Sequence, residues 1–255
     1  MKNAIIYLIV FVALQMGIGI GVREVWKLVS GSPDITTMML IVSMALVSAF
    51  TIAVFLLAHW CEVARSYVRS RPWATLTWCV VAAVGAVIPS TWIQEQMPEL
   101  PNYVLNEFSM ILGNRWGYVA VGLLAPVAEE MVFRGAILRS LLGSIRNHWV
   151  AIAISAVLFA LVHANPAQMP HALLVGLLLG WMYYRTDSLV PGVAFHWANN
   201  TIAYAAYNIM PAPEAPLIEI FGGSQRAVLM AVGFSLCILI PAIIQLNLRL
   251  KKAQQ

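Results

Sequence analysis

Eight apolar runs, each roughly 16 to 26 residues long, follow one another along this chain. At about 1.5 Å of rise per helical residue, most can cross a hydrocarbon layer. They lie at 4–22, 37–59, 73–93, 117–142, 149–164, 169–184, 189–209 and 227–247. Backbone immersed in hydrocarbon must satisfy its own hydrogen bonds, so runs of this length fold as helices. The expected fold class is therefore all-α, a polytopic membrane bundle of about eight helices. Only 10% of the 255 residues are charged and 61% are hydrophobic, which excludes an ordinary soluble domain with roughly 25% charge. The fifth and sixth runs are short for a span, so tilt or local thinning is expected there. Pro72, Pro166 and Pro191 fall at or near run ends, where a missing N–H costs little.

The formal net charge of +4 gathers into no basic patch. The cations are spread between apolar runs, which is the pattern of topology signals and not of a nucleic-acid surface. Counting alternate loops, one side holds Lys2, Arg65, Arg69, Arg71, Arg139, Arg146, Arg185, Arg249, Lys251 and Lys252. The other holds Arg23, Lys27, Arg115 and Arg226 among the acids Glu24, Asp34, Glu95, Glu99, Glu107, Glu214 and Glu219. Both termini are thus expected to be cytoplasmic, with the first run kept as a signal anchor. The segment 101–116 has apolar residues at a helical period and is expected to lie along the outer interface. Cys61, Cys79 and Cys237 have neither metal-ligand nor disulfide spacing and read as small buried hydrophobes. The expected organisation is one membrane-embedded domain, 1–255, with three helices over 4–93, a core over 117–208 and a last helix at 227–247.

Within these runs a few polar residues stand out, because charge at membrane depth costs about 2.5–3.5 kcal/mol per residue on insertion scales. Glu129 and Glu130 precede Arg134 in the fourth run. Glu130 and Arg134 are four apart and share a helix face, so an ion pair is expected between them. Glu129 is turned by about 100° and is free to do something else. The fifth run ends in Phe159 and His163, again four apart, and the seventh carries His196 and Asn200 at the same spacing. Together these supply a general base, a proton shuttle and an electrophilic or metal-binding set, suited to activated water attacking a polarised carbonyl. No Gly-x-Ser-x-Gly or His-Glu-x-x-His pattern is present, which disfavours serine-hydrolase and zincin chemistry. One conflict stands. His163 falls near the outer end of its run and His196 near the inner end of its own, a depth difference on the order of 10 Å.

The order Glu-Glu-x-x-x-Arg, Phe-x-x-x-His and His-x-x-x-Asn resembles the CAAX protease and bacteriocin-processing (Abi) family of intramembrane proteases. The surrounding text, Glu-Glu-Met-Val-Phe-Arg-Gly-Ala at 129–136 and the stretch from Gly180 to His196, is similar to that family as well. The resemblance covers about 117–208. It implies endopeptidase activity on a membrane-associated protein or peptide, and the compact chain with Lys/Arg-biased loops reads as a bacterial inner-membrane protein. Carried over residue by residue, Glu129 would activate water with His163 as its partner. His196 and Asn200 would stabilise the oxyanion, and Glu130 with Arg134 would brace the site beside Phe159. Members of that family have been described both as metalloproteases and as metal-free. His196 and Asn200 look more like an oxyanion pair than like ligands, which favours no metal, although zinc on Glu129, His163 and His196 is a usable catalytic set.

Two other readings stay open: a non-catalytic immunity or regulatory scaffold that binds a peptide or membrane partner, and a proton-coupled transporter. His171, Asn165 and Gln168 read as ordinary interfacial residues, and His59 and His148 as interfacial anchors beside Trp60 and Trp149. Gly176 and Gly180 read as close-packing positions.

Overall fold

The structure, a computed structural model, describes residues 1–62, 65–213 and 215–252. Glu214 and the side chain of Arg65 lie outside the described residues. All described secondary structure is helical: α1 Lys2–Ser30, α2 Thr37–Leu57, α3 Arg65–Arg69, α4 Trp73–Glu95, α5 Leu105–Leu112, then a continuous rod over 119–142. That rod comprises α6 Ala125–Glu130 and α7 Arg139–Leu142, interrupted by π-helical stretches Val119–Leu124 and Met131–Leu138. There follow α8 His148–Leu161, α9 Met169–Thr186, α10 Val190–Ile209, α11 Leu217–Ile220 and α12 Gln225–Arg249.

Helices α1, α2, α4 and α12 are long and apolar enough to cross a membrane. In the most apolar window of α1 only 6% is buried inside the protein, and Ile9, Met16 and Ile20 are each about 60% exposed. A continuous apolar surface of this extent suits hydrocarbon and not water. These helices mark the chain as an integral membrane protein.

Two run ends differ from the sequence expectation. Helix α1 continues past residue 22 to Ser30 and stops only at Gly31, whose φ of 70° places its N–H on the Lys27 carbonyl. Nothing between Arg23 and Ser30 breaks a helix, so the charged stretch simply extends it. Helix α8 stops at Leu161, and the chain turns through Ala164 at φ 50°. Elsewhere polar side chains cap the starts: Thr36 accepts from the Met39 N–H and Ser224 from the Ala227 N–H, both at 3.3 Å. Among the cysteines, Cys61 and Cys79 are buried as expected, whereas Cys237 is exposed on α12.

The chain divides into two compact units, Met1–Val63 with Val104–Ser155, and Ala64–Tyr103 with Ala156–Gln255. The first is centred on aromatic side chains. Phe11 meets Phe133 edge-on at 5.6 Å, and Phe55 meets Trp60 at 5.3 Å. The Ser155 hydroxyl donates to the Phe133 carbonyl at 2.9 Å, fixing α8 to the second π stretch. Arg139 reaches Glu62 at 2.6 Å near the end of the rod.

The second unit packs α4, α9, α10 and α12 around Cys79, Ala82, Leu179, Met182, Phe195 and Leu246. Small residues set its spacing. A Cβ placed on Gly85 would lie 2.7 Å from the Leu239 amide nitrogen, and one on Gly176 would lie 3.1 Å from the Ala156 Cα. Gly176 is therefore a close-packing position, as expected from its spacing. Because the obstacle at Gly85 is backbone, Gly85→Leu is expected to force α4 from α12 and cost about 1–3 kcal/mol or more. Gly233→Leu on α12, where nothing lies within 4 Å, is the control. Thermal unfolding of the two variants in detergent checks this, with only the first losing stability.

Candidate active site

The acidic candidate residues lie on the 119–142 rod of the first unit. Pro126 stands at the start of α6 and has no N–H to give, and the rod is widened into π turns immediately before it. The two glutamates close α6, and the second π stretch begins at the next residue. Glu130 is fully buried and Arg134 is 1% exposed, with Arg134 Nη1 donating to Glu130 Oε1 at 2.8 Å. This is the expected pair, with the acid one turn N-terminal to the base. Sealed from solvent and hydrogen-bonded within one turn, the pair fixes two side chains in one geometry. Glu129 is only half-buried. Two adjacent carboxylates thus occupy different surroundings, one enclosed with a guanidinium and one partly open.

The histidines belong to the second unit. Because α8 ends at Leu161, His163 sits on the turn beyond the helix and not on its face. Its ring folds back, with Nδ1 2.8 Å from the Phe159 carbonyl oxygen. A carbonyl only accepts, so Nδ1 carries the proton and, in the neutral ring, Nε2 holds the lone pair. The same contact satisfies one of the orphan carbonyls at the helix end. Phe159, 2% exposed, stands edge-on to His163 at 5.0 Å and edge-on to His196 at 5.9 Å. One phenyl ring in contact with both imidazoles removes the depth conflict inferred from the sequence. The early end of α8 and the backward fold of His163 account for it.

On α10, His196 is 5% exposed and Asn200 follows one turn later, half-buried. Between them Asn199, 9% exposed, links two side chains. Its Nδ2 lies 3.4 Å from His171 Nε2 and 3.4 Å from Asn200 Oδ1. An amide nitrogen only donates, so His171 Nε2 accepts, and Asn200 is oriented with its oxygen towards Asn199. His171, in the first turn of α9, is also within electrostatic reach of His163 and His196. Asn199 was not singled out in the sequence, and His171 read there as an interfacial residue. The signal for Asn199 was present, since it is as polar and as deep in its run as Asn200. His171 gave none without its partner. Asn165, set aside with it, is structural: fully buried, it accepts from the Tyr103 N–H at 3.0 Å and donates to Asn102 Oδ1 at 2.9 Å.

The zinc set considered above, Glu129, His163 and His196, is divided between the two units. Among the described residues no three His, Cys, Asp or Glu side chains are gathered into a group able to hold a metal ion. No step below is routed through a metal.

Comparison with known proteins follows the same residues. Positions 111–202 match the family described as type II CAAX prenyl endopeptidase Rce1-like. A stretch of 92 residues, 35% of the chain, is 32% identical to the UPF0177 protein YxdF of Lactococcus lactis subsp. lactis (strain IL1403), and covers 49% of that protein. The chain thus spans about half the length of the curated relative it matches. No solved structure matches it. The matched segment contains all seven residues singled out by the three motifs, from Glu129 to Asn200. Residues 111–202 are thus similar to the Rce1-like family, in line with the CAAX protease grouping that the motifs resemble.

Proposed function

We propose that this protein is an intramembrane endopeptidase that hydrolyses a peptide bond in a membrane-associated protein or peptide, with water activated by Glu129. The observation that carries this reading is the match of 111–202 to an endopeptidase family across every motif residue. Glu129 takes a proton from water and the hydroxide adds to the substrate carbonyl carbon. The oxyanion that forms accepts hydrogen bonds from the His196 ring and the Asn200 amide nitrogen. Collapse of the tetrahedral intermediate breaks the C–N bond, and the amine leaves with a proton delivered through Glu129 and His163. Glu130 and Arg134 hold the rod that presents Glu129, and Phe159 packs edge-on against both imidazoles. His171 and Asn199 act as positioning residues through Asn200. The difference in burial between Glu129 and Glu130 supports this division, because a general base has to exchange its proton and a brace does not.

The reading includes eight helical spans: α1, α2, α4, the 119–142 rod, α8, α9, α10 and α12. Both termini are cytoplasmic and the membrane is a bacterial inner membrane. The substrate is a peptide or protein already in the bilayer, and nucleic acid has no part. No metal is required.

Glu129→Gln is expected to lower cleavage at least about 100-fold while leaving the unfolding midpoint in place. Comparative peptidomics of membranes carrying wild-type or variant protein identifies the substrate and measures the loss. Full biological complementation by this variant would replace the enzyme reading with a binding scaffold. Arg134→Ala is expected to cost about 3–5 kcal/mol of stability, because it leaves Glu130 buried beside no guanidinium; thermal unfolding in detergent reads this directly. Chelation of the purified protein is expected to leave cleavage unchanged, with metal analysis on the same sample. Asn199→Ala is expected to lower kcat several-fold with little change in KM, the mark of a group that orients another.

A further inference from the structure

The cations at one end of the second unit do more than signal orientation. Arg69, Arg249, Lys251 and Lys252 converge on a cavity of about 520 Å³, whose remaining wall includes the buried hydroxyls of Tyr67 and Thr75. It forms where the short helix α3, the first turn of α4 and the end of α12 come together. Cations beyond the last turn of an apolar helix are expected from the helix dipole and from loop-charge bias alone. Neither effect requires that four of them share one concavity with two hydroxyls.

Their own partners leave the charge largely uncompensated. Lys252 reaches Asp187 at 2.8 Å, and Arg249 Nε donates to the neutral Gln245 at 3.0 Å. Among the described residues no carboxylate pairs with Arg69, Lys251 or Arg249. Burial pushes the Tyr67 phenol up to about 12, so it stays protonated at neutral pH. The depth is also informative. Trp73, 66% exposed at the start of α4, is a headgroup-level residue on a helix able to cross the membrane. A pocket beside it, with forked guanidinium donors and an ammonium group, matches the geometry and charge of a phosphate at the membrane surface.

We propose that this cavity binds the phosphate group of an anionic phospholipid, independently of any peptidase activity. The test uses the full chain purified in a neutral detergent and native mass spectrometry with phosphatidylglycerol or phosphatidylcholine. The wild type is expected to bind phosphatidylglycerol at least tenfold more tightly than phosphatidylcholine. Arg69→Gln, Arg249→Gln and Lys251→Gln together are expected to lower phosphatidylglycerol affinity by about fivefold per cation removed, with phosphatidylcholine binding unchanged. If the triple variant unfolds, the exposed single variants Arg69→Gln and Lys251→Gln carry the same expectation of about fivefold each. Equal binding of the two lipids by the wild type, or undiminished preference in the variants, overturns the proposal. Inorganic phosphate forms the second arm. Weak competition by millimolar phosphate is expected, and stabilisation of the wild type by phosphate alone to the extent given by phosphatidylglycerol would make this a free-phosphate site and end the lipid assignment.

Discussion

A polar group that cannot reach water must find its partner inside the protein, and inside a bilayer that condition admits few exceptions. It explains most of the fixed points in this molecule. Arg134 Nη1 donates to Glu130 Oε1 within one turn. The Ser155 hydroxyl goes to the Phe133 carbonyl, the His163 Nδ1–H to the Phe159 carbonyl, and the Thr186 hydroxyl to the Met182 carbonyl. Each contact removes a rotational freedom that solvent would otherwise leave. The polar residues of the apolar core are consequently well-placed ones, which is the property a reactive site needs.

The same condition governs where the helices depart from regularity. A proline within the 119–142 rod leaves a carbonyl without its usual donor, and the rod carries π turns on either side of α6. The glutamates lie at the junction between α and π geometry, where the helix is not a repeating surface. At the end of α8 the condition works differently: the helix stops, and a histidine side chain supplies a donor to the exposed end. Both irregularities coincide with residues of the three motifs, which is where local rules are expected to give way to function.

How much of this could be read in advance depended on the range of the physics involved. Helix positions were legible because hydropathy summed over about twenty residues is a strong signal. The Glu130–Arg134 pair was legible because its partners are four residues apart on one helix. Helix ends were less so: α1 is set by the left-handed Gly31 and α8 by the turn through Ala164, single-residue events that hydropathy does not record. The π turns were invisible, since an apolar run reads the same in either helix. His171 was misjudged because its partner Asn199 is 28 residues away on another helix. A contact across helices leaves no mark in the spacing of one.

The two adjacent glutamates show why this matters for chemistry. They have the same side chain and nearly the same place in the chain, yet a rotation of about 100° encloses one and leaves the other half-open. An enclosed carboxylate bonded to a guanidinium cannot turn to another partner without breaking the pair. A half-open one can be reached by water without disturbing that pair. Had both been enclosed, the rod would be well braced and inert. Had both been open, the charge of Arg134 would lack its fixed counterpart, and the turn that presents the base would be free to move. One sealed pair supporting one accessible acid is the arrangement in which stability and reactivity do not compete for the same carboxylate.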